Sequence, residues 1–315
     1  MVERYLTAAK DGGQRLDQFL AENSSSLSRT NIRSIIDIGG VHVDGKRVRK
    51  AGLRLTPGRR VEIYQDRGSL KPFRLQPHHV LFQDPHIIVL DKPAGIETQP
   101  TPARYRGTLY EALQVWLKRD RSFGRRLEIG MAQRLDRDTS GVIIFSIHPR
   151  AHKSISVQMQ SRTVKKTYVA LVEGKPEPAA GSYQSNIVRD RRTGSMKSVA
   201  AGGKYALTHY RVIKTRSLPE IISLVELELI TGRTHQIRVH LAEAGHPLLG
   251  DVRYGGRSSL GEMTFARHCL HSRQLEIEHP ESGKCMSFSA ELPTDMLILE
   301  TMDRSGNTAA PADET

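Results

Sequence analysis

The densest run of reactive side chains in this sequence is Arg134-Leu135-Asp136-Arg137-Asp138-Thr139-Ser140-Gly141, with the apolar run Val142–Phe145 directly behind it. A loop that carries acids, bases and hydroxyls just ahead of a buried strand can aim polar groups from a rigid edge. That arrangement suits carboxylate-driven chemistry. Calcium binding is one competing use, because Asp136, Asp138, Ser140 and Gly141 occupy the first, third, fifth and sixth places of an EF-hand loop. The twelfth place is Ile147, where a bidentate Glu is needed. A glycosidase pair is a second, but carboxylates two residues apart in one loop rarely face each other across a sugar. A plain turn in which Asp136 caps a neighbour is the structural alternative.

Thr231-Gly232-Arg233-Thr234-His235-Gln236-Ile237-Arg238-Val239-His240-Leu241 is the second such segment. Thr234 is placed to cap a helix. His235 and His240 are separated by about 140° around it, which speaks against a shared metal. Arg238 stands beside Ile237 and Leu241 on a helix that should pack against a sheet. A partly buried guanidinium is costly unless an acid meets it, and Asp136 is the partner the chain offers. A third segment, Lys166-Thr167-Tyr168-Val169-Ala170, reads as a strand with an aromatic on one face; the plain alternative is a core Tyr with a satisfied hydroxyl. Ala200-Ala201-Gly202-Gly203 lacks a nucleotide-loop pattern and reads as a hairpin loop.

These segments need elements to position them. At the front, Leu16, Phe19 and Leu20 fall at helical spacing. Ser28 caps a helix carrying Ile32, Ile35 and Ile36, and Gly39 ends it. Val41 and Val43 alternate with polar residues, Asp44-Gly45 makes a tight turn, and Val48 resumes the alternation. Val61–Tyr64 follows Pro57-Gly58 as a further strand. Residues 65–79 read as a linker. Beyond it come strand Ile87–Leu90, a helix around Thr108–Lys118, strand Val142–Phe145 and a helix near Ala151–Gln160. Strands follow near Tyr168–Val172, Tyr210–Thr215 and Leu224–Ile230, then a helix from Thr234 to Gly245. Both hairpin-like and helix-connected neighbours occur, so the expected class is α+β: a mixed, mainly antiparallel sheet flanked by helices, with a small N-terminal α/β-hairpin domain. The expected boundaries are 11–75, 76–300 and a flexible tail at 301–315.

Composition narrows the function. Lys and Arg number 47 against 34 Asp and Glu, a net charge of +13, which points to a polyanionic partner or an anionic surface. Residues 11–75 hold 13 Lys and Arg against 7 Asp and Glu, nearly half the excess in about a fifth of the chain. No run approaches the roughly 20 apolar residues of a membrane span, and the N-terminus has no apolar stretch of signal-peptide length. Two cysteines, Cys269 and Cys285, cannot build a disulfide framework or a four-Cys zinc site. A reducing, cytoplasmic setting is expected, with no membrane partner.

Taken in order and spacing, RLDRDTSG, KKTYVALVEG and TGRTHQIRVHLAEAGHPLLGD resemble the RluA/RluC/RluD-type pseudouridine synthases, and IIVLDKPAG (Ile87–Gly95) matches the segment that opens their catalytic domain. The resemblance covers about residues 80–295. The front of the chain, with GQRLDQFL, LSRTNIRSII and GGVHVDGKRV, is similar to an S4-type RNA-binding module. The resemblance implies isomerisation of uridine in RNA: uracil is detached at N1, rotated and rejoined through C5, with no cofactor or metal. It implies that Asp136 is the catalytic carboxylate, Tyr168 packs on the uracil and Arg238 pairs with Asp136. Arg134, Leu135, Thr139, Arg233, His235 and Gln236 are the substrate-binding candidates, Arg134 as a filler of the gap in the RNA or a phosphate contact. The chain departs from the family pattern at Gln133, where a His is usual, and at Ile96-Glu97-Thr98-Gln99-Pro100, where an apolar run ending His-Pro is usual. Asp44 replaces a common Asn. Gly58-Arg59 replaces a common Gly-Asp, which should strengthen the basic face.

A uridine inside a helix is out of reach, so the base must be flipped out at a cost of a few kcal/mol. Tyr168 can return roughly 1–3 kcal/mol by stacking. Arg15, Arg29, Arg33, Lys46, Arg47 and Arg49 are the candidate phosphate contacts, against the alternative of a solvated charged face. The expected substrate is large-subunit (23S-type) ribosomal RNA, bound by a monomer. The alternatives are a tRNA-directed synthase, a non-catalytic RNA-binding ribosome-assembly factor that keeps the scaffold, and a glycosidase acting on small sugars.

Overall fold

The chain opens on a strand that its sequence does not announce, β1 (Val2–Leu6). Helices α1 (Leu16–Asn23) and α2 (Arg29–Ile38) follow. The Ser28 hydroxyl accepts the N–H of Asn31 at 3.2 Å, and Gly39, at φ 89°, ends α2. Strands β2 (Val41–Val43) and β3 (Lys46–Val48) form the expected hairpin, and β4 (Arg60–Tyr64) completes a sheet in the order β1-β4-β2-β3. Asp44 and Gly45 turn the hairpin with φ of 49° and 75°. The inward faces of α1 and α2 close on Val41, Val61 and Ile63 in one apolar cluster. β1 gains its place by pairing antiparallel with β4 and by setting Tyr5 edge-on to Phe19, contacts that no local pattern encodes.

The computed structural model describes residues 2–65, 69–119, 128–217 and 220–299. Its chain divides into two units; the first break, between Pro77 and His78, lies beside the expected 75, and a later segment returns to the first unit. Residues 95–119 belong to the first unit. Tyr105 and Arg106 donate their backbone N–H groups to Ile38 O at 2.7 and 3.0 Å, beyond the end of α2. Helix α3 (Leu109–Leu117), capped by Thr108, lies in the same segment. The linker expected over 65–79 holds no strand or helix among its described residues except a single 3-10 turn, Pro77–His79. The expected tail at 301–315 lies outside the described residues.

The second unit is built on a mixed sheet. Its elements are β5 (Val80–Gln83), β6 (Ile87–Lys92), β7 (Ser140–Ser146), α4 (Pro149–Ser161), β8 (Lys165–Glu173), β9 (Ala180–Arg189), β10 (Met196–Val199), β11 (Lys204–Ser217), β12 (Ile221–Leu229), α5 (Gln236–Glu243), the short β13 (Ser259–Leu260) and β14 (Met263–Thr264), β15 (Leu270–Glu278) and β16 (Cys285–Ser289). The order is β10-β9-β11-β12-β8-β15-β7-β6-β5, with β16 on β15. Every pairing in it is antiparallel except β15 with β7. The class is α+β, as the sequence predicts. β7 is buried along its whole length, which is why it reads as a continuous apolar run without alternation. Val142 and Ile144 pack with Ala151 and Ile155 of α4. No described helix is long and apolar enough to cross a membrane.

Two local details set the site. Helix α5 begins at Gln236, and its cap position is His235 at φ 56°, so the expected Thr234 cap does not form. The left-handed turn at His235 and the Gln236 amide close the helix entrance instead. The second detail is the parallel junction, where His271 pairs with Ser140 and Ser272 with Gly141. Gly141 has φ 106°, and a Cβ there would run into the Ser272 backbone. Gly141→Ala is therefore expected to lower stability by about 2 kcal/mol or more and to depress activity. Urea unfolding measures the first effect; an unchanged midpoint would show that the junction tolerates a side chain.

Candidate active site

Arg238 brings the two main motifs together. Its Nη1 donates to Asp136 Oδ2 at 3.2 Å. The contact expected from sequence exists, but it is not the main anchor of Arg238. Nε and Nη2 donate to the two oxygens of Asp251, each at 2.7 Å. The guanidinium also lies over the Tyr254 ring at 4.9 Å. Asp251 is buried and offers both oxygens to the guanidinium fork; Asp136 reaches it through one. Burial pulls the Arg238 pKa down, while Asp251 and then Asp136 outweigh it and hold the value above the ordinary one. Asp136 itself is only partly covered, its side chain 27% exposed.

His235 reaches the same carboxylate oxygen, Nε2 at 3.7 Å from Asp136 Oδ2, with Nδ1 at 2.7 Å from the Tyr254 hydroxyl. Burial lowers its pKa, so the imidazole is neutral near pH 7. His240 is removed from this group. Its nitrogens bond Thr208 Oγ1 and Ser185 Oγ at 3.0 Å each, and burial pushes its pKa down to about 4. Among the described residues no three His, Cys, Asp or Glu side chains are placed to hold a metal. Cys269 is buried, Cys285 is exposed, and both are free thiols.

Tyr168 is buried in β8, registered with Leu227 of β12 and Ser272 of β15. Burial pushes its pKa up to about 12; a hydrogen bond with Ser272 opposes the shift and the Asp136 charge adds to it. The phenol therefore keeps its proton at neutral pH.

The loop bearing Asp136 is tied down from several sides. Buried Lys92 donates through Nζ to the carbonyls of Pro93 and Arg137 at 2.9 and 2.8 Å. Arg267 Nη1 donates to Asp138 O at 2.9 Å, while its other nitrogens hold Asp295 at 2.7 and 2.8 Å. Thr139 Oγ1 bonds His268 Nε2 and Ser140 Oγ bonds His271 Nδ1, each at 2.9 Å. Burial, with Arg238 and Arg267 nearby, drives the His268 pKa down to about 2. Burial likewise lowers His271 to about 4. Both rings are thus neutral hydrogen-bonding struts.

The remaining candidates lie as follows. Arg134 is exposed, while Leu135 and Thr139 are buried. Arg233 donates through Nε to Tyr205 O at 2.8 Å. Gln236 is bonded at both ends of its amide: Oε1 accepts from Thr231 Oγ1 and Arg233 N, and Nε2 donates to Leu207 O and Thr208 Oγ1. It holds the loop ahead of α5. Gln133, which replaces the usual His, has a buried Nε2 with no hydrogen bond among the described residues. Sequence reading missed Asp251, Tyr254 and His268. A signal existed for the first, since Leu248-Leu249-Gly250-Asp251 puts an acid directly behind an apolar pair and a turn glycine.

Residues 86–243 match the family described as RNA pseudouridylate synthase. The chain belongs to the RNA pseudouridylate synthase family. The RNA pseudouridine synthase YlyB of Bacillus subtilis is 32% identical over 96% of this chain and 98% of its own. The ribosomal large subunit pseudouridine synthase D of Pseudomonas aeruginosa is 33% identical over 95% and 94%. The solved structure of human RNA Pseudouridylate Synthase Domain Containing 4 superposes with a TM-score of 0.56 at 26% identity, covering 69% of this chain and 90% of that one.

The synthase also carries an S4 domain, matched over residues 14–61. Several of its basic residues are held by specific partners. Arg15, Arg29 and Arg33 converge on the fully buried Asp17 at 3.0, 3.3 and 2.8 Å, with 37%, 47% and 52% of their side chains still exposed. Arg47 is half-buried, donating to Gly39 O and to Thr101 O. Arg49 lies over the Tyr105 ring at 5.6 Å, and Lys46 is exposed. The two front departures meet each other, Arg59 Nη1 pairing with Asp44 Oδ2 at 2.5 Å. The extra Arg is thus offset by a neighbouring acid, contrary to the stronger basic face expected.

Arg15, then Arg33 and Arg29, hold the Asp17 carboxyl well below the usual carboxylate range against the opposing effect of burial. Its stabilising contribution is present at neutral pH and is lost as pH falls through the carboxylate range toward the depressed folded value. Asp17→Asn should destabilise the synthase by roughly 1–3 kcal/mol at pH 7. The gap from wild type should narrow as pH drops below about 4. Thermal melts of both proteins from pH 7 to 3 check this, and a gap that stays constant with pH would contradict it.

Proposed function

We propose that this synthase isomerises uridines of large-subunit ribosomal RNA, with Asp136 as the catalytic carboxylate, Arg238 as its partner and Tyr168 packed on the flipped uracil. The observation that carries the reading is the 3.2 Å contact of Asp136 with Arg238 in a chain of this family. Supporting it, Asp136 is the partly exposed carboxylate of the group, able to meet a substrate, whereas Asp251 is buried. The ribosomal assignment draws on relatives named as ribosomal large subunit synthases and on the S4 domain.

The chemistry follows from what an isomerisation requires. The N1–C1′ bond breaks, the uracil turns, C5 bonds to C1′, and the C5 proton leaves while N1 gains one. A carboxylate next to a fixed guanidinium can serve as nucleophile or base. Tyr168 keeps its proton at neutral pH, so its contribution is apolar contact and hydrogen bonding. The S4 domain supplies phosphate contacts, and the catalytic unit selects the extruded base.

Loss of tritium from uridine C5 reports turnover directly. Asp136→Asn should abolish release from 23S-type transcripts and leave RNA affinity within about threefold of wild type. Retained release would remove Asp136 from the mechanism. Wild-type protein should release tritium from large-subunit RNA and not from tRNA transcripts; the reverse preference would favour the tRNA reading. Replacing Lys46 and Arg49 with Ala should reduce the slope of log affinity against log salt by about one per lost phosphate contact. An unchanged slope would remove those contacts.

A further inference from the structure

Arg238 is shared unequally between two carboxylates, and the inequality has a chemical use. The two-pronged contact goes to Asp251 at 2.7 Å on both oxygens, and the single longer one goes to Asp136 at 3.2 Å. Arg238 and Asp251 thus form a buried pair that is close to neutral as a unit. They offer Asp136 one N–H donor without the full pull of an unpaired guanidinium. Were Asp251 absent, the same fork could turn onto Asp136, engage both its oxygens and tie up the group that must reach the nucleotide.

Tyr254 does a matching task for His235. The Met196 N–H donates to the Tyr254 hydroxyl oxygen at 3.0 Å. The hydroxyl proton is then free to point at His235 Nδ1, 2.7 Å away. A neutral imidazole that accepts at Nδ1 carries its proton on Nε2, the nitrogen that faces Asp136. The Tyr254 ring meanwhile lies under the Arg238 guanidinium. Both residues belong to one short element, the 3-10 turn Val252–Tyr254 with Asp251 at its cap position. Arg253 anchors that turn to the β9–β10 loop, donating to Gly194 O at 2.7 Å and Ser195 Oγ at 3.1 Å.

We propose that Asp251 and Tyr254 are positioning residues for uridine isomerisation: Asp251 holds Arg238 so that Asp136 stays free to engage substrate, and Tyr254 supports that guanidinium while fixing the tautomer of His235 toward Asp136. The inference rests on the reading of Asp136 as the catalytic carboxylate.

The test uses the full chain and single-turnover tritium release from 23S-type RNA labelled at uridine C5, alongside RNA affinity, melting temperature and the 15N shifts of labelled histidine. Asp251→Asn and Tyr254→Leu should slow release at least tenfold at saturating enzyme, with RNA affinity within threefold of wild type. Tyr254→Phe keeps the ring and loses the hydroxyl. It should fall less than Tyr254→Leu and should shift the His235 nitrogens from one tautomer to a mixture, a change that a packing role alone would not produce. Tyr254→Phe is nearly isosteric, so it decides the Tyr254 half even if Asp251→Asn folds poorly; Asp251→Glu, which keeps the carboxylate, should then recover part of the rate. Release within twofold of wild type in Asp251→Asn and Tyr254→Leu would overturn the proposal. So would losses matched by a smaller folded fraction, or a Tyr254→Phe protein with unchanged rate and unchanged histidine shifts. An Asp136→Asn control separates the two readings: if it retains turnover, the catalytic assignment fails; if it is dead while Asp251→Asn is fully active, only the positioning role fails.

Discussion

A guanidinium placed in a protein interior is tolerable only where carboxylates and an aromatic face replace the water it has lost. Arg238 meets that condition through Asp251, Asp136 and the ring of Tyr254. The constraint reaches outward. Asp251 must sit at the end of a turn that returns to α5, and Asp136 must arrive on the loop that leads into β7. Helix α5 must start late enough to point residue 238 inward. The site is therefore a meeting of three chain segments around one buried cation.

The sheet makes that meeting possible. β7 and β15 are the lone parallel neighbours in its path, and they touch at Ser140 and Gly141, directly after the loop bearing Asp136. Around the junction, Lys92 and Arg267 donate to loop carbonyls, and two neutral histidines bond the hydroxyls of Thr139 and Ser140. Burial keeps those imidazoles uncharged, which lets them act as hydrogen-bonding struts without adding charge beside Asp136.

The S4 domain solves the inverse problem. There a buried carboxylate, Asp17, is surrounded by three arginines, each still half open to solvent. The cluster remains net positive, and its three guanidiniums are held in place by one carboxylate. The catalytic unit hides its cation to organise acids, and the S4 domain hides an acid to organise cations.

Much of this was legible in the chain itself. Local patterns carry their own physics: the Ser28 cap and Gly39 stop of α2, the Asp44-Gly45 turn, and the unbroken apolar run of β7 are decided by a few neighbouring residues. Asp136, Tyr168 and Arg238 stand out because their motifs are dense and ordered, and the need of a buried Arg for an acid pointed to residue 136. What the sequence left undecided depends on partners far along the chain. β1 exists because β4 offers it an edge, and residues 95–119 join the first unit through hydrogen bonds to Ile38. Arg238 binds Asp251 with two bonds because a turn brings both carboxylate oxygens to 2.7 Å from Nε and Nη2. Spacing can propose that an acid meets a base; which acid wins, and by how many bonds, is decided only when distant backbone segments are brought side by side and water is removed between them.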